Sequence, residues 1–273
     1  MTNMSTMPAL SILALGDWPA ERLYCSSSRS SLDIPADLLA RIDHAWEIAA
    51  ARPGVHLFDG PLCRLEKFHD DDAGLHLSLS RTSYRIFMGT NGNHPQWAAQ
   101  YGPQVMANPV GTSVALVSAD GQLVFGRRSA AVALYPGFAH PFGGTMEPTN
   151  DDAPVDLLEE IRRELREEAG ITRHDLTDLR IIALIEDLHL RQPELVYAAR
   201  TSLTASEIAQ RLDHHEHTAC WLLPDQRQAI DATLSGKETI TPVLAGVLLA
   251  WGWRCFGEAW LEAHLTTGQA IRR

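Results

Sequence analysis

The sequence predicts a layered α/β domain preceded by a small α+β unit. Two observations carry this. From Thr112 onward, short apolar runs at strand spacing alternate with segments of helical period. Before Thr90, one amphipathic helix is followed by strand-like runs joined by Gly- and Asp-rich turns.

In the first unit, Leu38, Leu39, Ile42, Ala45, Trp46 and Ala49 recur at helical spacing within 34–52, and Pro53-Gly54 ends the run. Strands are expected at Val55–Phe58, Cys63–Phe68 and Leu75–Leu79. The segment 90–109 is rich in Gly, Asn and Pro, so the domain division is placed there, with units of 1–105 and 106–273. In the second unit, Thr112–Val117 and Leu123–Gly126 flank Asp120-Gly121 as a hairpin. A helix is expected over 155–169 and strands over 179–185, 194–200 and 218–223. Helices near 204–212 and over 242–253 complete the pattern. The apolar stretch Leu244–Phe256 reads as core or as a dimer contact.

Composition narrows the function. The chain has 273 residues, is 45 % hydrophobic and 21 % charged, and carries a formal net charge of −11. That is a soluble composition and a poor one for nucleic-acid binding, which needs clustered Lys and Arg. The apolar run at 8–15 is too short to span a bilayer, and no basic residue precedes it. Four cysteines, none in a C-x-x-C pair, fit a reducing compartment, so a cytoplasmic protein without membrane attachment is expected.

The informative stretch is RRELREEAGI at 162–171. Val155, Leu158, Ile161, Leu165 and Ala169 form one buried face of a helix that Gly170 terminates. Glu160, Glu164, Glu167 and Glu168 form an adjacent stripe. Like charges four apart repel, and carboxylates near a helix C-terminus face the negative end of its dipole. Carboxylates that converge on a hard cation would offset both costs.

Arg163-Glu164-Leu165-Arg166-Glu167-Glu168-Ala169-Gly170-Ile171 resembles the second half of the Nudix box, R-E-U-x-E-E-x-G-U, at every specified position. The resemblance implies an α/β/α sandwich with a mixed sheet. It implies Mg²⁺, or Mn²⁺, held by Glu164, Glu167 and Glu168, with Arg163 orienting one of them. Gly143-Gly144 resembles the start of the box. Nineteen positions separate Gly144 from Arg163, where the motif has about fourteen, and Asn150 stands where a glutamate would fall without the insertion. Glu216, ahead of Trp221, resembles the late acid that many members place near the metals and is a candidate general base or additional metal ligand. Glu186 and Asp187 are weaker candidates.

Arg127 and Arg128 close a strand and are candidates for phosphate contact, since guanidinium forks match phosphate oxygens. Gly143 and Gly144 would let backbone approach a phosphate or metal. Tyr84-Arg85 with Gly89-Thr90-Asn91, Ala107–Gly111 and Leu123–Ser129 resemble the UDP-glucose/UDP-galactose diphosphatase branch of the family. That implies a nucleotide-sugar substrate split to UMP and sugar 1-phosphate, with Tyr84, Arg85 and Asn91 facing it. Tyr84 and Phe87 read equally well as packing between the two units. Another Nudix substrate such as ADP-ribose, or a nucleotide-binding sensor without turnover, stays open, as does monomer or homodimer.

Overall fold

The computed structural model describes residues 9–51, 57–130, 132, 134–149, 155–236, 238–267 and 271–272. The chain runs through β1 (Leu10–Trp18), β2 (Leu23–Ser31), α1 (Ala36–Ala50), β3 (Pro61–Asp70), β4 (Leu75–Ser83), α2 (Tyr84–Phe87) and α3 (Trp97–Tyr101). Then follow β5 (Gly111–Val117), β6 (Gln122–Arg128), β7 (Ala139–His140), α4 (Leu157–Ala169), β8 (Leu176–Asp187) and β9 (Gln192–Thr201). It ends with α5 (Ala205–Arg211), β10 (His217–Pro224), α6 (Arg227–Ser235), α7 (Pro242–Phe256), α8 (Glu258–Thr267) and β11 (Ile271–Arg272).

A mixed sheet of order β10-β6-β5-β9-β8-β1-β11, with β7 on β6, forms the centre. β5 and β9 pair in parallel, whereas β8 pairs antiparallel with both β9 and β1. The strands are apolar on both sides because helices cover both faces. Leu195, Tyr197 and Ala199 of β9 join the core that holds Ile161 and Leu165 of α4. Val196 and Ala198 join the opposite core with Leu244, Leu248 and Trp251 of α7. The result is the expected α/β/α layering.

A second sheet, β2-β4-β3, packs on the α4 side: Leu75, Leu77 and Leu79 share the core of Ile161 and Leu165. The N-terminal apolar run, read from sequence only as too short for a membrane, is β1. Leu10, Ile12 and Ala14 are buried in it, and Ile12 lies opposite Ile185. β1 and the buried face of β4 therefore lie on the near side of the expected division at residue 105 and still pack into the core of the large sheet.

Local signals place most other elements. Asp156 caps α4 by accepting from the Leu158 and Glu159 amides (3.0 and 3.1 Å), and Gly170 closes it in the left-handed conformation at φ 61°. Thr204 and Glu207 form a reciprocal capping box on α5. Of the strand expected at Val55–Phe58, Val55 and His56 lie outside the described residues. Leu57 and Phe58 are irregular and Phe58 is exposed, because no partner strand reaches them. The sequence reading has no counterpart for β2, α2, α3, β7, α6, α8 and β11. The C-terminal apolar stretch is core: α7 is buried from Pro242 to Gly252, and the Trp251 indole donates to Asp225 (2.7 Å). Among the described residues no helix is long and apolar enough to cross a membrane.

Candidate active site

A small cavity of about 170 Å³ is bordered by Arg128, Tyr135, Gly143, Gly144, Glu194 and Glu216, and the α4 carboxylates Glu168 and Glu164 lie against its Gly143-Gly144 wall. The helix period that buries Ile161 and Leu165 turns Glu164 and Glu168 inward and leaves Glu167 half-exposed. Arg163 forks among three acids, at 2.7 Å from Glu164, 3.1 Å from Glu167 and 3.3 Å from Glu160. Glu168 is oriented differently: the Gly143 amide donates to its Oε2 (2.9 Å). The three box glutamates therefore do not meet at one point in this conformation. The tight group is Glu168, Glu216 and His217, whose candidate ligand atoms lie within 4.8 Å of one another.

Glycines make this crowding possible. A Cβ on Gly144 would lie 2.4 Å from the Glu164 carboxylate, one on Gly126 2.1 Å from the His217 ring, and one on Gly111 1.8 Å from the Glu194 carboxylate. Gly143 is at φ 148°, and its Cβ would strike the Thr112 carbonyl oxygen.

The electrostatics reflect burial of like charges. Burial pushes Glu164 up to about 7, against the lowering effect of Arg163, with Glu168 and Glu167 adding to the rise. Burial also holds Glu168 well above the usual carboxylate range. The Gly143 hydrogen bond opposes that and the Glu216 charge reinforces it. His217 is pushed down to about 4 by burial and by Arg128, so its ring is neutral near pH 7. Its Nε2 lies 3.4 Å from Glu168 Oε1, but without hydrogen-bond geometry, and neither ring nitrogen has a partner. We read this approach as a contact and not an ion pair, because the ring carries no charge.

The substrate-facing candidates separate. Successive residues on a strand point to opposite faces. Arg128 lines the cavity and donates to the Leu134 carbonyl (2.9 Å), whereas Arg127 does not border it and donates to the Gly137 carbonyl (3.1 Å). Tyr84 packs with Leu62, Phe87 and Ala107, and edge-on to Trp46 (6.1 Å). Arg85 is held by Asp43 and Asp59, away from the cavity. Asn91 is fully buried and reaches no open space. Its amide donates to Asn108 Oδ1 (3.1 Å) and to the Arg191 carbonyl (2.9 Å), and its Oδ1 accepts from the Asn108 amide (3.2 Å). It ties the N-terminal part to the β8–β9 turn, which contributes Leu190 to the cavity wall. Of the inserted stretch 149–156, residues 150–154, with Asn150, lie outside the described residues, and Asp156 is the α4 cap.

Three cavity residues escaped the sequence reading. Glu194 is buried on β9, accepts a hydrogen bond from Ser113 and is raised by burial to about 8. Its signal was available: a lone acid inside an apolar strand. Tyr135 donates to Asp187 Oδ2 (2.7 Å), and both line the cavity. His140 sits against Thr241 (2.9 Å). Neither carries a local pattern that would have marked it.

Comparison with known proteins follows the same residues. A family model for the NUDIX domain matches residues 107–242. A mouse protein named uridine diphosphate glucose pyrophosphatase NUDT22 is 29 % identical over 215 residues, covering 67 % of this chain and 69 % of that protein. The human protein of the same name is 40 % identical over 105 residues, and the match spans about a third of each, 34 % of this chain and 35 % of that one. A crystal structure from Deinococcus radiodurans is 22 % identical, covers 51 % of this chain and 80 % of its own, and superposes with a TM-score of 0.40. With the box residues on α4, the buried carboxylates at the cavity and the domain match between them, the chain belongs to the Nudix hydrolase family.

Proposed function

We propose that this protein hydrolyses the diphosphate of a UDP-sugar, UDP-glucose or UDP-galactose, to UMP and sugar 1-phosphate in a Mg²⁺-dependent reaction. The observation that carries the chemistry is the burial of Glu164 and Glu168 beside a cavity that also holds Arg128 and Glu216. The names of the mouse and human relatives favour the uridine sugar.

The residues fit a divalent cation. Two carboxyls held up by burial, and two orphaned imidazole nitrogens beside them, are an arrangement that added positive charge would relieve. Carboxylate oxygens suit a hard ion such as Mg²⁺, with Mn²⁺ also accepted. Glu168 would hold it together with Glu164 and Glu167 once these two turn from Arg163 toward it, and it would neutralise charge on the diphosphate.

The chain's own groups do the rest. Arg163 and the Gly143 amide hold the glutamates in place. Arg128 offers its guanidinium to phosphate oxygens from the cavity wall. Glu216 takes a proton from the attacking water as the bridging P–O bond breaks. A volume of about 170 Å³ is below the usual range for a whole ligand of this size, so the cavity takes the diphosphate and leaves base and sugar toward its mouth.

The test is phosphorus NMR of UDP-glucose with Mg²⁺ in ¹⁸O-enriched water, beside ADP-ribose and a Glu168→Gln sample. UMP and glucose 1-phosphate from the wild type alone support the proposal. Turnover of ADP-ribose in place of UDP-glucose discards the substrate. Binding without turnover across the panel favours a sensor.

A further inference from the structure

A groove of about 790 Å³ contains none of the box glutamates. It opens between the β2-β4-β3 sheet and the start of α4, with Tyr24, His69 and His76 on one side and Asp156 and Arg162 on the other. Strand register explains the rings. His69 of β3 lies opposite His76 of β4, and Tyr24 of β2 lies opposite His76. The three stack in a ladder, Tyr24 on His76 at 4.5 Å and His76 on His69 at 4.3 Å, with interplanar angles of 13° and 7°. Rings stacked on one another turn their edges outward, so they offer nitrogen atoms and not a flat platform.

Both histidines aim the same atom at one carboxylate. His76 Nε2 is 3.3 Å from Asp71 Oδ1, and His69 Nε2 is 4.0 Å from Asp71 Oδ2. Asp71 is fixed in the β3–β4 turn by the Ala73 and Gly74 amides, which donate to Oδ1 at 2.8 and 3.1 Å and leave Oδ2 to His69. Arg22 pins the same turn through the Ala73 carbonyl (3.0 Å). The candidate ligand atoms of the three side chains lie within 4.8 Å of one another. The His69 side chain is 65 % exposed, so its ring has open space in which to turn out of the stack with His76 and bring its nitrogen to a shared ion.

An exposed carboxylate between two imidazoles gains little from charge alone. Two imidazoles and a carboxylate are, however, a donor set for a borderline cation, in contrast to the all-carboxylate box. We propose that His69, Asp71 and His76 form a second metal site, specific for a divalent transition metal of the Zn²⁺ type, whose fourth position opens into the groove. It is independent of the proposed hydrolysis.

The test is calorimetric titration of the full chain with Zn²⁺, and absorption spectroscopy with Co²⁺, both in excess Mg²⁺ to occupy the box. The variants are His69→Ala, Asp71→Asn and, as a control, Glu168→Gln. Expected is one Zn²⁺ site, weakened roughly 10-fold or more in His69→Ala and Asp71→Asn, as loss of groups around a metal commonly does, and unchanged in Glu168→Gln. Zn²⁺ should raise the thermal midpoint of the wild type but not that of His69→Ala. Midpoints in chelator show whether each variant folds. Binding that survives both hairpin variants, binding that fails only in Glu168→Gln, or no binding at all overturns the proposal.

Discussion

The Gly143 amide donates to the Glu168 carboxylate across 2.9 Å, joining the glycine loop that opens the box to the helix that closes it. The bond orients a buried acid that has Glu216 and a neutral imidazole beside it and the Arg128 charge to offset them. Glu168→Gln should therefore lower turnover by roughly 100-fold or more, since even outer-shell changes at metal sites cost 10–100-fold. Kinetics on UDP-glucose, with circular dichroism to confirm folding, checks this. Unchanged turnover would remove Glu168 from the machinery.

The two glycines should respond differently to alanine. At Gly144 the new methyl meets the far end of Glu164, which can swing aside. Activity should fall while stability changes by less than about 1 kcal/mol. At Gly143 the methyl meets the Thr112 backbone at a left-handed φ, and the cost should be about 1–3 kcal/mol. Denaturant melts of both variants beside the kinetics separate the cases. Equal stability losses would show that the Glu164 side chain does not yield.

Asn91→Ala should destabilise by about 1–3 kcal/mol, because it leaves the Arg191 carbonyl and Asn108 without a buried partner. It should also loosen the β8–β9 turn at the cavity wall and raise KM more than it lowers kcat. A stable variant with wild-type KM would mean the N-terminal part does not position that turn.

Glu194 gives a pH test. Its carboxyl rises from 4.5 unfolded to about 8 folded, chiefly by burial, with the Ser113 hydrogen bond opposing. The folded state then holds a proton that the unfolded state releases, so this residue's stabilisation is complete below pH 4.5 and declines as pH rises to about 8. Glu194→Gln should flatten that part of the stability–pH curve in metal-free buffer. Parallel wild-type and variant curves from pH 5 to 8 would contradict the assignment.

The sequence by itself determined the local structure and the identity of the family. The period of Ile161, Leu165 and Ala169, the Gly170 cap and the acids beside them defined α4 and its chemistry, because helix geometry converts spacing into faces without reference to the rest of the chain. Short apolar runs bounded by turn residues likewise placed β5, β6, β8, β9 and β10 to within a few residues. Tertiary structure decided which of those side chains share a space. β1 is a strand because β8 lies beside it, some 170 residues away in the chain. Asn91 serves the Arg191 turn across a separation of 100 residues, Arg128 and not Arg127 meets the cavity, and Glu194 joins it from β9. Sequence spacing carries no record of long-range pairing. The desolvation that raises Glu164, Glu168 and Glu194 exists only once distant elements have closed around them.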